Sequence, residues 1–399
     1  MPALSRLARC RTAIAATPLP GVASRPSTQS ASGRLCCSVI CGALLGLPWA
    51  AAQASEDGMC DVPNERAGRS TSEATPLRRS PWLFVPLVSS NPKLGTSLGG
   101  MVGYVHKFDA TSEPSLLAVQ AQRSNSNSRT LGVGGKAYWN ENRDQLQLGI
   151  AGGNVSNDYL DFLGTGQEVR SQENLRGYFL RYQHQAWHDW YAGAQALYSN
   201  YDVEGSDPAS AQILDLAGLA GEVAAGMGII VSYDSRDNSS NPTRGALFQL
   251  HNFAFRDTFG SDSDFDVATG ELKMYRPTND NNVMVFHGKW RWTGDAPESK
   301  QSTVELRGYT RGQYLGRSSL TFEAEDRYMF WPRWGAKVFA GVSCLYGDGK
   351  HCSGDNLYPM AGAGIFYVVK PESNMVITSE FAKGNGDNRG FYVNFGHRF

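Results

Sequence analysis

Residues 390–399, GFYVNFGHRF, alternate between two chemistries. Phe391, Val393, Phe395 and Phe399 fall on one face, interrupted by His397, while Tyr392, Asn394, Gly396 and Arg398 fall on the other, as in a strand whose side chains point to opposite sides in turn. A membrane barrel requires such a pattern up to its final residue, because its outward face meets lipid and its inward face meets water or polar packing. The last strand of a soluble antiparallel sheet produces it as well. In a membrane, His397 belongs near the headgroups rather than at mid-bilayer.

Beyond the N-terminal region no uncharged apolar stretch approaches the roughly 20 residues of a spanning helix, so any part that crosses a membrane is built of strands. Tryptophans at the ends of strand-like segments (Trp82, Trp187, Trp190, Trp331, Trp334) suit aromatic girdles at the two interfaces of a bilayer. The chain's formal charge is -1, and residues 1–54 hold five arginines and no acid. Residues 55–399 therefore carry 32 basic against 38 acidic side chains, a sign that argues against nucleic acid as a partner.

Residues 1–54 have the features of an export signal. Arg34 precedes the apolar run LCCSVICGALLGLPWAAAQA, which closes on the small-x-small triplet Ala52, Gln53, Ala54, and the first acid, Glu56, follows. The long Arg- and Ser-rich, acid-free stretch before it also has the character of an organelle transit peptide, which leaves an organelle outer membrane as the alternative to a bacterial one. Residues 55–80 are polar and aperiodic and are expected to form a flexible periplasmic linker. Cleavage after Ala54 leaves Cys60, Cys344 and Cys352. The last two flank the polar LYGDGKH, so a loop-closing disulfide between Cys344 and Cys352 is expected in an oxidising compartment.

From Pro81 to Phe399 the sequence breaks into about sixteen alternating segments near ten residues long, the length of tilted membrane strands. They start near Pro81, Gly95, Glu113, Arg129, Arg143, Asn174, Trp190, Gly221, Gly245, Asp264, Asn281, Ser318, Trp334, Tyr358, Asn374 and Gly390. A barrel of this kind makes every second connection a short turn, and most are, as at 140–142, 188–189, 276–280, 332–333 and 370–373, whereas the opposite connections 156–173, 203–220 and 294–317 are long. Short turns at one end and long loops at the other are the asymmetry of a closed antiparallel transmembrane β-barrel, and a soluble sandwich has no reason to keep it.

Three segments carry a family resemblance. YDSRDNSSNPTRG (233–245), LRGYTRGQYLGR (306–317) followed by FEAEDRYMF (322–330), and EFAKGNGDNRGFYVNFGHRF (380–399) resemble the BamA/TamA outer-membrane surface-antigen barrels, and VPLVSSNPKLGTSLGG (85–100) is similar to the first hairpin of their shorter members. The resemblance implies that the sixth outer loop folds into the lumen. Arg307 would be its docked cation, Gly308 its tight tip and Tyr309 the aromatic beside it. Thr321, Glu323, Glu325 and Arg327 share the face read as lumenal, which makes Glu325 the nearest carboxylate for a guanidinium that needs one, with Glu380 the second. Asp326 then faces lipid, tolerable only near an interface. Phe339, Ala340 and Gly341 stand where the family often has an acid, so one docking carboxylate is expected to be missing. Phe391, Val393, Phe395 and Phe399 would be the C-terminal assembly signal.

The resemblance implies an integral outer-membrane protein aiding insertion or translocation of proteins. The family's assembly factors carry periplasmic POTRA domains, for which 55–80 has no room. The alternative is a porin-like channel or a passive barrel with a plugged lumen. The partners expected are outer-membrane lipids, the barrel-assembly machinery for its own insertion, and a separate periplasmic protein. No cofactor, metal or catalysis is expected: His184 and His188 in HQAWH lack a metal-binding spacing and an accompanying nucleophile elbow.

Overall fold

The computed structural model describes residues 80–399 apart from 92–94, 160–168, 217–220, 240, 298–299, 310–313, 372–373 and 387. The signal segment 1–54 and the linker up to residue 79 lie outside the described residues. The first half of the chain supplies β1 (Trp82–Asn91), β2 (Gly95–His106), β3 (Ser115–Ser124), β4 (Arg129–Trp139), β5 (Asp144–Tyr159), β6 (Val169–Trp187), β7 (Trp190–Gly205), α1 (Pro208–Leu216) and β8 (Glu222–Asp234). The second half supplies β9 (Gly245–Phe255), β10 (Phe265–Asn279), β11 (Asn282–Gly294), β12 (Ser302–Thr303), β13 (Leu315–Gly316), β14 (Ser318–Met329), β15 (Trp334–Tyr346), β16 (Leu357–Lys370), β17 (Met375–Gly384) and β18 (Arg389–Phe395).

Sixteen of these strands pair antiparallel with their neighbours and close into a barrel. β12 and β13 form a separate small ribbon inside the connection from β11 to β14. Among the described residues no helix is long and apolar enough to cross a membrane. Alternation fixes which side faces in. On β14, Thr321, Glu323, Glu325 and Arg327 are buried while Phe322 and Tyr328 are exposed, and on β15 Lys337, Phe339 and Ser343 are buried while Val338 is exposed. Asp326 points outward only three residues before β14 ends, within reach of Asn282 Nδ2 at 3.4 Å.

The connections β4–β5, β6–β7, β10–β11 and β14–β15 are compact and lie at one end of the barrel, together with the longer β2–β3 and β8–β9 connections, and the longest, from β11 to β14, lies at the other end. At the turn end the chain reverses with little side-chain cost: Asn140, Glu141 and Asn142 all take positive φ between β4 and β5. Trp82, Trp187, Trp190, Trp331 and Trp334 all stand at this one end and are exposed, which corrects the expectation that they divide between both interfaces. A second correction concerns β5, β6 and β7, which run for 16, 19 and 16 residues. At ~3.3 Å per residue they extend well past an apolar band that needs only about ten residues, so β6 starts at Val169 rather than near Asn174. Much of the expected loops 156–173 and 203–220 is strand and helix.

The closing seam is short. β1 and β18 share only the pairs Val88–Val393, Ser89–Tyr392 and Ser90–Phe391, although β1 pairs with β2 along its whole length. The hydrogen bond from Val105 N–H to the Pro81 carbonyl (2.9 Å) fixes the odd-numbered residues of β1 as those facing β2. Even-numbered residues therefore face the seam, and there Pro86 has no N–H to give.

Gly396, at φ 84, then turns the chain out of the strand path. Phe391 is exposed on the outer face, but Phe395 is buried with Leu83, Val85, Leu87, Met101 and Met375. His397 and Phe399 are buried inside the barrel. The single-face assignment of residues 391–399 thus holds for Phe391 and fails at Phe395, His397 and Phe399. The register with β1 ends at Val393, while the pairing with β17 runs on to Phe395–Ile377 and stops there.

Candidate functional site

Arg307, on the loop between β11 and β14, is 1% exposed and reaches the inner wall. Its Nη1 donates to Glu325 Oε2 (2.8 Å) and Glu380 Oε2 (3.0 Å), and its Nη2 donates to Glu323 Oε2 (3.1 Å). Three buried carboxylates around one guanidinium would repel each other without further cations. Arg327 Nε supplies one at 2.7 Å from Glu325 Oε1, and Lys337 supplies another, with Nζ 3.5 Å from Glu325 Oε2 and paired to Glu380. Three acids and three bases thus neutralise each other out of water, which is the condition under which buried charge is tolerated.

Strand register sets this geometry. Lys337, Gly364 and Glu380 lie in one row across β15, β16 and β17, and Glu325, Phe339 and Gly362 lie in another across β14, β15 and β16. β16 contributes the glycine of each row. A Cβ on Gly362 would stand 2.3 Å from the Phe339 ring, and one on Gly364 2.6 Å from the Ser379 carbonyl, so both rows close only without a side chain there. The Phe339 ring lies 3.4 Å from the Arg307 guanidinium carbon. Its π-face takes the cation.

At the loop tip, Gly308 adopts φ 87 and donates its N–H to the Tyr392 hydroxyl (3.0 Å). The Tyr309 hydroxyl donates to the Pro359 carbonyl (2.7 Å) and accepts from the Asn385 N–H (2.9 Å). Val304, Leu306 and Tyr309 are buried with Phe339, Leu345, Tyr358, Met360 and Ala382, so apolar packing and ion pairing seat the same loop. The base of the loop is held as well, Arg291 donating to Ser302 Oγ (3.1 Å) and to the Lys300 carbonyl (3.2 Å). Cys344 and Cys352 are disulfide-bonded where β15 gives way to the next loop, with Cα atoms 5.3 Å apart.

Residues 396–399 approach the same cluster from the turn end. His397 packs edge-on against Phe366 at 4.9 Å, and its Nδ1 is 3.5 Å from Lys337 Nζ. Arg398 donates to the Glu305 carbonyl on the docked loop. Phe399 stacks on His287 at 4.7 Å, packs with Tyr275 and Val285, and lies 5.0 Å from the Arg307 guanidinium carbon. Its backbone oxygen accepts from Arg327. His287 in turn bridges Glu271 (2.7 Å) and Glu323 (3.4 Å).

Residues 133–320 match the Omp85 superfamily domain. That stretch of the chain carries an Omp85 superfamily domain. Among solved structures it is similar to BamA from Haemophilus ducreyi lacking POTRA domains 1–3, at 12% identity and a TM-score of 0.51, over 79% of this chain and 70% of that one. CdiB from Escherichia coli is similar at 11% identity and a TM-score of 0.55, over 81% and 64% of the two chains. CdiB from Acinetobacter baumannii follows at 11% and 0.54, over 79% and 59%. At such identities the likeness shows the fold, and the chain spans less than two thirds of either CdiB. No curated protein matches the sequence. The Omp85 match includes Arg307 and Gly308 and stops before Glu323, Glu325 and Glu380.

The structure brings Arg307, Glu325, Arg327 and Glu380 together, with Gly308 and Tyr309 at the adjoining tip. Sequence analysis missed Glu323 as a ligand, although its inward parity was visible. It also missed Lys337, whose signal was a lysine in phase with Phe339 and Ser343 on the inward face of β15. His184 Nδ1 lies 2.7 Å from Asp144 Oδ1 on the outer wall, and His188 occupies the next turn at φ 46.

Proposed function

We propose that this Omp85 barrel sits in the bacterial outer membrane and aids the insertion or translocation of proteins there, working through its seam. The observation that carries the proposal is the three-pair junction of β1 with β18. Along Trp82–Leu87 the β1 edge has no ladder partner on the β18 side. Unpaired backbone in hydrocarbon costs several kcal/mol per group, so an extended segment that supplies the missing partners gains both affinity and a path into the lipid. Capture of unfolded segments falls to a separate periplasmic protein, and the 391–399 segment serves as the signal by which the barrel itself is assembled.

The test is refolding of a small outer-membrane barrel into liposomes holding the purified protein, with and without a disulfide across the seam from Val88→Cys and Val393→Cys. Insertion is expected to be accelerated by the unlocked protein, lost on oxidation and regained with reductant. Equal rates with the seam locked and unlocked overturn the proposal. A passive plugged barrel is the second reading, favoured by the ion cluster and residues 396–399 filling the lumen. It requires that locking have no effect on client insertion.

A further inference from the structure

We infer that residues 396–399 tie the seam to the docked loop: seated in the lumen they hold the Arg307 loop in place, and when they leave to pair with β1 the loop loses that support. This rests on the seam reading above and adds to it a control exerted from inside the barrel.

The inference starts from register. Continuing the ladder of Val88–Val393 without a shift pairs Leu87 with Asn394, Pro86 with Phe395, Val85 with Gly396, Phe84 with His397, Leu83 with Arg398 and Trp82 with Phe399. The strand and its partner would end flush. In that state Phe395, His397 and Phe399 point outward beside Pro86, Phe84 and Trp82, of which Phe84 and Trp82 are already exposed on the outer face. Asn394, Gly396 and Arg398 point inward. The division is that of the sequence, whose alternation runs through Phe399 although the observed seam uses it only to Val393. A pattern that one arrangement leaves idle is accounted for by the other.

The seated arrangement has its own partners. Arg398 holds the loop backbone at Glu305, Phe399 lies beneath Arg307, Arg327 holds the Phe399 backbone oxygen, and His397 lies against Phe366 and Lys337. Each is a side chain or backbone group of the loop or of its receiving wall. Two features keep the flush arrangement from winning outright. Pro86 removes a donor from the longer ladder, and Gly396 is the residue that accepts φ 84 as readily as an extended φ. Pairing with β1 and support of the loop thus compete for the same four residues, so a segment that occupies the β1 edge also favours a seated loop, and a flush seam favours a released one.

The experiment uses the full chain refolded in detergent with Cys60→Ser. Phe84→Cys with His397→Cys reports the flush seam, since those positions face each other only when residues 396–399 have left the lumen. Val304→Cys, on the docked loop and fully buried, reports loop release by its rate of reaction with a membrane-impermeant maleimide. Gly396→Val drives the backbone away from positive φ, and Phe399→Ala removes the seated ring without constraining the backbone. Both substitutions are expected to raise the cross-link yield and to speed labelling of Val304→Cys by about tenfold, the factor for one or two lost hydrogen bonds. Retention of the compact, heat-modifiable band on a gel certifies that each variant is folded. A folded variant that cross-links with unchanged labelling, or that gives no cross-link, overturns the inference. Neither readout involves a client protein, so the insertion assay stands or falls separately.

Discussion

β5 and β6 pair without interruption from Asp144–His184 to Tyr159–Val169, whereas β1 and β18, which must close the same barrel, meet only from Val88–Val393 to Ser90–Phe391. The long ladder has no proline, and its inward polar side chains bond within the wall, as Arg181 does to Gln195 at 2.9 Å. Beside the seam stand Pro86 and Gly396, and what holds that side together is carried across the lumen by Phe395 among Leu83, Val85 and Leu87 and by the Arg307 cluster. One wall is built from backbone, which is closed once made. The other is built from side chains that can let go separately.

The sharpest way to break this contrast is to exchange its prolines. Ile150, outward on β5 and paired on both sides, is expected to tolerate no proline: Ile150→Pro removes a ladder bond from a central strand inside hydrocarbon and abolishes the compact, heat-modifiable band. The next largest effect falls on the cluster. Arg307→Ala leaves three carboxylates with two cations, so unfolding in denaturant is expected to shift by ~3–5 kcal/mol, and Arg307→Lys to recover only part of it because one ammonium cannot serve three separate acceptors. If Arg307→Ala left the unfolding midpoint unchanged, the side-chain account of the seam side would fail.

Much of this was legible in the sequence, and the gaps have physical causes. Alternation located the sixteen barrel strands and the inward face of β14 because lipid outside and polar packing inside impose opposite chemistries on neighbouring residues. The signal fades where a strand rises above the apolar band. Around Val169–Gln172 both faces of β6 are polar, and its start was missed by five residues. Arg307 with Glu325 and Glu380 emerged from the family resemblance, because a buried guanidinium narrows its partners to a few inward acids. Lys337 was lost because a lone lysine on a strand usually marks a solvated face. The seating of His397 and Phe399 was out of reach for another reason: parity states which face a side chain takes while its strand stays in register, and Gly396 lets the register end.

A smaller effect tests a contact that ties three connections together at the turn end of the barrel. Glu113, between β2 and β3, accepts a hydrogen bond from Ser239 in the turn between β8 and β9, and its own N–H donates to Asn142 Oδ1 at 2.7 Å. Burial pushes its carboxyl up to about 7, against the hydrogen bond from Ser239 and the charges of Lys136 and Arg236, while Asp234 adds to the rise. The folded state therefore holds a proton that the unfolded chain releases near the ordinary carboxylate range. Stability is full below that range and declines as pH rises through about 7. Going from about pH 6 to about pH 8 is expected to lower the unfolding free energy by ~1 kcal/mol, and Glu113→Gln to flatten the dependence. A wild-type profile that rises with pH over that window would contradict the assignment.

The smallest expected change bears most directly on the seam. Pro86 faces β18, so Pro86→Ala returns a donor to the edge at which the ladder now stops two residues away. One backbone hydrogen bond is worth about 0.5–1.5 kcal/mol net, and alanine gives part of that back by freeing the unfolded chain, which leaves a gain below ~1 kcal/mol. The equilibrium shift would be hard to see alone, but amide exchange is read residue by residue. Protection is expected to extend from Val88 toward Phe84 in Pro86→Ala and to stay unchanged along β5 and β6. Should protection spread nowhere, the short seam owes its length to the turn at Gly396 alone, and Gly396 rather than Pro86 is then the residue that separates the barrel's two sides.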